Sequence, residues 1–76
     1  MKFKRKNFGE EYVFEEDVCE DDDVVIGWIE FDKKNDKFIF EQGEYENLPL
    51  RKLKQIEFHL RQLKKEFDGK EVISNL

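Results

Sequence analysis

Alanine and threonine are absent from this chain of 76 residues, and cysteine, histidine, serine and proline each occur once. The single cysteine, Cys19, excludes a disulfide within the chain. The N-terminal segment is basic but lacks the apolar stretch of a signal peptide, so both observations favour a reducing, cytoplasmic location. No segment approaches the roughly 20 apolar residues that cross a bilayer, and four glycines with one proline leave no linker. We therefore expect no membrane association.

Residues that carry catalysis are equally scarce. His59 is the only histidine and Ser74 is the only serine. Cys19 lies among carboxylates, which disfavour its thiolate and lower its nucleophilicity. The sequence has no phosphate-binding glycine loop, no zinc-ligand spacing and no dinucleotide fingerprint. These absences predict a protein without enzymatic activity, cofactor or metal.

Aromatic residues, in contrast, are plentiful. Charged residues make up 43% of the chain, a content that by itself would indicate disorder. However, 14% of the residues are aromatic and eight are phenylalanine, which indicates a folded domain with a phenylalanine-rich core. The length fits a single domain over residues 1–76, with little room for a deep pocket. Abundant lysine, asparagine, isoleucine and phenylalanine follow AT-rich codons and suggest a low-GC bacterium or its phage.

Hydrophobic alternation predicts three strands, at residues 11–16, 24–32 and 37–41. The last two form a hairpin, whose turn at 33–36 leaves a loop of either two or four residues. The segment 17–23 is too charged to pair within a sheet and is predicted to be a loop. Lys2–Asn7 is extended in character and is a candidate fourth strand.

An amphipathic helix is predicted to begin near Leu48-Pro49, because proline suits the first helical turn, and to end at Asp68-Gly69. Its apolar stripe, at spacings of three and four, consists of Leu53, Ile56, Leu60, Leu63 and Phe67. The predicted fold is α+β in the order β-β-β-α, with the helix on one face of a three- to four-stranded antiparallel sheet. The expected core consists of this stripe and of Tyr12, Phe14, Ile29, Phe31, Phe38 and Phe40.

The net charge of −5 conceals blocks of unequal sign. Residues 1–6 carry four bases and no acid, residues 7–47 carry 15 acids and three bases, and residues 48–70 carry seven bases and three acids. Blocks of this kind set association and solubility rather than fold. They define the first two of three candidate binding surfaces.

The first candidate surface is acidic, with nine carboxylates within 14 residues. The residues predicted to meet a partner are Glu15, Glu16, Asp17, Glu20, Asp21, Asp22 and Asp23. Such a row can imitate a phosphate backbone and enter a basic groove of a larger protein, by analogy with short phage inhibitors of nucleic-acid enzymes. The alternative is a solvated loop without a partner. A calcium loop is disfavoured, because the alternating Asp/Asn pattern is missing.

The second candidate surface is the helix face around Phe58, which lies opposite the apolar stripe at about 100° per residue. Its basic neighbours are Arg51, Lys54, Arg61 and Lys65. A ring among cations suits phosphates with a stacked base, or an acidic protein surface with an aromatic anchor. Alternatively, Phe58 is covered by the tail, by the N-terminal segment or by a second subunit.

The third candidate surface is the opposite face of the hairpin, which is predicted to carry Val24, Ile26, Trp28 and Ile39. Exposed apolar patches mark interfaces, so this face predicts either a homodimer or a different partner. Alternatively, the face is covered by apolar residues from the ends of the chain, namely Phe3, Phe8, Val72 or Ile73.

Together these surfaces predict a small cytoplasmic inhibitor or accessory protein. Its acidic surface would dock on a basic groove of a larger host protein, including a groove that binds nucleic acid, with Trp28 and Phe58 as apolar anchors. Two alternatives remain open. One is a nucleic-acid-binding module that uses the basic helix face together with the Lys2–Lys6 arm. The other is a structural homodimer closed through the second sheet face.

Overall fold

A computed structural model describes residues 1–6, 14–44, 47–70 and 72. These ranges contain the strands β1 (Lys2–Lys6), β2 (Glu15–Cys19), β3 (Val25–Asp32) and β4 (Lys37–Gln42), followed by the helix α1 (Leu50–Glu66). The strands form one antiparallel sheet in the order β1-β2-β3-β4, so each strand pairs with its neighbour in sequence. The predicted α+β fold is therefore confirmed, and Lys2–Lys6 supplies the fourth strand.

The hairpin of β3 and β4 has the longer of the two predicted loops. Asp32 pairs with Lys37, which leaves four residues in the turn. The Asp32 carboxylate accepts hydrogen bonds from the backbone nitrogens of Lys34 at 3.1 Å and Asn35 at 3.3 Å. Asp36 adopts a positive φ of 51°, which aspartate tolerates better than most residues. The turn is thus held by the side chain at its first position.

Strand β2 corrects the prediction of a loop over residues 17–23. Residues Asp17, Val18 and Cys19 belong to β2, and only the part after Cys19 forms a turn. The strand tolerates its charges because β1 is basic: Lys4 lies opposite Asp17, and Lys6 lies opposite Glu15. Oppositely charged cross-strand pairs stabilise a sheet. Of the strand predicted at 11–16, Glu15 and Glu16 belong to β2 and Phe14 precedes it, while residues 11–13 lie outside the described ranges.

A β-bulge corrects the predicted face of Ile26. Val18 pairs with Gly27 and Cys19 pairs with Val25, so Ile26 is an extra residue on β3. A bulge interrupts the two-residue alternation, and Ile26 turns into the core with no exposed area. The prediction that Ile26 lies on the outer face was therefore wrong. Val24, which precedes β3, is exposed.

The core lies between the sheet and α1. Its buried apolar residues are Phe14, Val18, Ile26, Ile29, Phe31, Phe38, Ile56, Leu63 and Val72. Phe40 of the sheet and Leu60 and Phe67 of the helical stripe are half-buried against them. Leu53 is an exception and is 36% exposed, because it lies at the edge of the stripe, about 60° from Ile56. Tyr12, the remaining predicted core residue, lies outside the described ranges.

Both ends of α1 match the sequence prediction. Pro49 is the N-cap, and its carbonyl accepts from Lys52 N at 2.9 Å. Gly69 has a φ of +74°, the left-handed conformation expected just after a helix. The helix therefore begins one residue after Pro49 and ends three residues before Gly69, the two residues that predicted its ends.

Gly27 is the tightest backbone position of the sheet, and we expect Gly27→Ala to destabilise the protein by roughly 1–3 kcal/mol. A Cβ there would lie 2.4 Å from the Glu41 carbonyl oxygen and 2.6 Å from the Phe40 ring. The carbonyl belongs to the paired strand and cannot move without breaking the ladder. Urea unfolding measures the loss. Gly69→Asn is the control and should cost less, because that side chain tolerates a positive φ and meets open space. Equal midpoints for Gly27→Ala and wild type would contradict the prediction.

Candidate partner-binding surfaces

A buried ion-pair network lies between β1, β2 and α1. The Glu16 carboxylate is 2% exposed; it accepts from Arg5 Nε at 2.8 Å and lies 2.6 Å from His59 Nε2. The two terminal nitrogens of Arg5 donate to both oxygens of Glu66 at 2.9 and 2.8 Å. These donations lower the pKa of Glu66. One guanidinium therefore joins the first strand to the second strand and to the last turn of the helix.

Aromatic rings enclose this network. The Arg5 guanidinium carbon lies 5.4 Å from the ring centroids of Phe14 and Phe67, within cation–π range. On the other side, His59 stacks on Phe3 with centroids 3.7 Å apart and planes 12° from parallel. His59 therefore has a structural position at the boundary of the apolar stripe, as its place in the sequence predicted.

The acidic segment is largely paired with the basic segments. Asp23 is bound by Lys4 Nζ at 2.8 Å and by Lys2 Nζ at 3.1 Å, and these hydrogen bonds lower its pKa. Further ion pairs join Lys6 to Asp17, Lys52 to Glu20, and the Met1 amino group to Asp21. The blocks of opposite charge in the sequence therefore meet in space.

This pairing separates the acidic residues that were predicted to meet a partner into buried and exposed ones. Glu16 is buried and engaged by Arg5 and His59, so it is not part of any surface. Asp21, Asp22 and Asp23 lie in the exposed turn between β2 and β3. The Asp22 carboxylate accepts from Val24 N at 3.2 Å. The turn residues are exposed and remain candidates for binding a partner, whereas the buried Glu16 does not.

The outer face of the sheet, on the side away from α1, carries a second set of carboxylates. Two rows of paired residues cross it: Lys4, Asp17, Trp28 and Glu41, and next to them Lys6, Glu15, Glu30 and Ile39. Residues opposite each other on paired strands share one face. Trp28 therefore lies among Glu15, Glu30 and Glu41, and we call this group the acidic sheet face.

The carboxylates of the acidic sheet face repel one another. Burial raises the pKa of Glu30, and so do the neighbouring charges of Glu41 and Glu15, while a hydrogen bond with Trp28 opposes the shift. Among the described residues, no ion pair involves Glu30 or Glu41. The ionised form of Glu30 is thus less favourable than in water.

Two of the four predicted covers of this face, Phe3 and Val72, lie elsewhere. Phe3 packs on His59 on the helix side, and Val72 is buried in the core. Phe8 and Ile73 lie outside the described residues. Trp28 and Ile39 are each half-buried. In the described part of the chain, the acidic sheet face is therefore open.

The basic helix face is open as well. Phe58 is 62% exposed, and Arg51, Lys54, Arg61 and Lys65 are all exposed around it. An open groove of about 480 Å³ runs between this face and β1. Phe3 and Met1 line the groove beside Phe58 without covering it. The N-terminal segment therefore extends the surface around Phe58.

The sequence prediction missed Glu30 and Glu41 as members of a site. Both belong to strands whose pairing was predicted, and Glu30 is two residues from Trp28, on the same side of β3. The period-two pattern would have placed Glu30 beside Trp28. The dense acidic segment before β3 is the stronger signal in the sequence, whereas Glu30 stands alone among apolar residues.

Comparison with protein families, curated proteins and solved structures found no match to this chain. In the described ranges, no cluster of three His, Cys, Asp or Glu residues could hold a metal ion. Across the same residues, α1 included, no helix has the length and apolar character needed to span a bilayer.

We expect Arg5→Gln to destabilise the protein by about 3 kcal/mol, because breaking a buried pair leaves the Glu16 carboxylate without its guanidinium. Glu66→Gln, which removes only the exposed half of the network, should cost less than about 1 kcal/mol. Arg61→Gln is the matched control and should change stability by less than about 0.5 kcal/mol, since Arg61 is exposed on α1. Chemical unfolding measures all three. Arg5→Gln and Arg61→Gln with the same midpoint would rule out this role.

The pairing of Asp23 predicts a dependence of stability on pH. Its pKa is lower in the folded state than in the unfolded state, so its contribution is present at neutral pH and is lost as pH falls below about 4. Asp23→Asn should lower the melting temperature near neutral pH but not in acid, and asparagine suits the positive φ at this position. Asp22→Asn, the neighbouring control, should have little effect at either pH. A loss for Asp23→Asn that persists unchanged in acid would refute the prediction.

Proposed function

We propose that this chain is a non-enzymatic protein-binding module whose acidic sheet face docks on a basic surface of a larger protein. The observation that supports it is the position of the half-buried Trp28 among Glu15, Glu30 and Glu41, on a sheet face that the described residues leave open. Trp28 is the anchor that the sequence predicted. The acidic contribution comes from the sheet, with the exposed turn at Asp21–Asp23 beside it, rather than from the turn alone.

A cationic side chain is the chemical group that this face suits. An arginine guanidinium can stack on an indole ring and donate to carboxylates at the same time. Burial raises the pKa of Glu30, and the charges of Glu41 and Glu15 raise it further; a guanidinium would offset those two charges. A carboxylate that is disfavoured in its ionised form gains more from a cation than a fully solvated one does. A basic partner would therefore offset the repulsion among the three carboxylates of this face.

The same charges argue against a homodimer through this face. A two-fold interface brings the same patch of each subunit together. Glu15, Glu30 and Glu41 of one copy would then face the same carboxylates of the other. Like charges in apposition cost several kcal/mol in an interface, so a basic partner fits better than a second copy.

The proposed role is that of a small inhibitor or accessory factor, of phage or bacterial origin, that acts in the cytoplasm. The support is indirect: the chain is short, and its open surfaces lie on the outside of the sheet and helix. A basic groove that binds nucleic acid is the kind of partner surface that carboxylates can occupy.

The test uses Trp28, the only tryptophan, as a fluorescent reporter of an oligoarginine peptide. We expect the peptide to change the Trp28 emission, and Glu30→Gln with Glu41→Gln to weaken binding about fivefold, which is the loss of two exposed ion pairs of about 0.5 kcal/mol each. Affinity should also fall as the pH is lowered through the raised pKa of Glu30, since protonation removes the charge that the peptide binds.

The matched control is Glu57→Gln, which makes the same chemical change on an exposed position of α1. It should bind oligoarginine as the wild type does. If oligoarginine leaves the Trp28 emission unchanged, or if the Glu30/Glu41 variant and Glu57→Gln bind equally, the proposed face is not the binding surface.

A further inference from the structure

The charges of α1 are sorted by face. Within the helix, all of which the structure describes, one exposed stripe carries Arg51, Lys54, Gln55, Phe58, Arg61, Gln62 and Lys65. These residues fall within about 120° of arc at 100° per residue. The stripe has four cations and no carboxylate. Glu57 and Glu66 lie beyond its two margins, and Glu66 is bound by Arg5.

The kinds of residue in the stripe also differ from one margin to the other. The cations Lys54, Arg61 and Lys65 occupy the margin that faces away from β1. Phe58 lies between Arg61, Lys65 and the groove, whereas Lys54 reaches the groove itself; 62% of the Phe58 surface is exposed. On the groove side, Gln55 and Gln62 are three residues before and four residues after Phe58, so their amides flank its ring. Beyond them lie the stacked rings of His59 and Phe3.

We propose that this stripe and its groove bind a single-stranded nucleic acid. Its phosphates would follow the cations along about 21 Å of helix, from Arg51 to Lys65. A base would stack on the exposed face of Phe58, as bases do on aromatic side chains in single-strand-binding proteins. The amides of Gln55 and Gln62 offer donors and acceptors to the edge of that base.

Charge complementarity selects this ligand despite the net charge of −5. Glu15, Glu30 and Glu41 lie on the opposite side of the sheet. Asp21 lies near Arg51, at one end of the stripe, but is paired with the Met1 amino group. Asp17, Glu20 and Asp23 are bound by lysines. At physiological ionic strength, exposed charges farther apart than about 8 Å are largely screened. The field over the stripe is therefore dominated by its four cations, with Glu57 as the carboxylate beyond one margin.

A single strand fits better than an acidic protein segment because of Phe58. Carboxylates on a protein would satisfy the cations but would leave the ring and the flanking amides unused. A nucleotide strand supplies anions and flat rings together. It can also place a base in an open groove without burying a charge.

The experiment is fluorescence anisotropy of a dye-labelled oligothymidine of about twelve nucleotides, at about 50 and 200 mM salt. We expect binding at the lower salt concentration. Phe58→Leu, an exposed substitution that preserves folding, should weaken it about tenfold without changing the salt dependence, whereas Phe58→Tyr should retain it. Arg61→Gln with Lys65→Gln should reduce the slope of log affinity against log salt by about 1.4.

The matched control is Lys33→Gln with Lys34→Gln, which removes two exposed lysines from the hairpin turn. It should bind as the wild type does, and so should the Glu30/Glu41 variant, which separates this proposal from the acidic sheet face. The proposal is overturned if oligothymidine does not bind at the lower salt concentration, or if both the Phe58→Leu and the Arg61/Lys65 variants bind as the wild type does. The proposal is also overturned if oligoglutamate displaces oligothymidine and Phe58→Leu binds oligothymidine as the wild type does. That result would assign the stripe to an acidic protein segment.

Discussion

The position of Arg5 determines how the rest of this fold is assembled. Its guanidinium contacts two carboxylates, one buried on β2 and one exposed at the end of α1. The Phe14 and Phe67 rings lie against it, so the ion pair is placed within apolar surroundings rather than in water. A buried carboxylate is costly unless it is paired and hydrogen-bonded. Arg5 and His59 therefore allow Glu16 to occupy a core-facing position on β2.

The same constraint explains why the chain is divided into charged blocks. A five-residue edge strand with four cations would gain little from pairing with a neutral strand. Its neighbour β2 has carboxylates opposite three of these cations, Lys4, Arg5 and Lys6, and the turn after β2 supplies Asp23 to Lys2 and Lys4. The alternation of β1 directs its lysines to the outer face and Phe3 and Arg5 to the helix. Segregation of charge along the sequence thus specifies which strands pair.

Hairpin and helix could be predicted from the sequence because their patterns are local. The stripe from Ile56 to Phe67 and the alternation from Ile29 to Phe40 each follow one period without interruption. Strand β2 could not be found in this way, since its propensity is poor and its stability depends on β1. The face of Ile26 was predicted wrongly for another reason. A bulge interrupts the two-residue alternation of a strand, and nothing in the sequence around Ile26 indicates one.

In the candidate sites, too, local features could be predicted and features that depend on strand pairing could not. Trp28 and Phe58 were identified because a large ring among polar residues is conspicuous in a sequence. The carboxylates around Trp28 were only partly identified, because Glu30 and Glu41 come from different strands and meet through the register. Glu16 was predicted on the surface because a carboxylate in a dense acidic run gives no sign that it is buried. Both errors have the same cause: the positions of these carboxylates depend on pairing between strands, which the sequence does not show directly.

The net charge is consequently a poor guide to what this protein can bind. The acidic sheet face and the basic helix face lie on opposite sides of the molecule, with the sheet and the helix between them. The helix alone is about 10 Å across, which exceeds the screening length at physiological ionic strength. Each face therefore presents its own field to a partner. A molecule of net charge −5 can attract cations on one side and anions on the other, and occupancy of one face leaves the electrostatics of the other nearly unchanged.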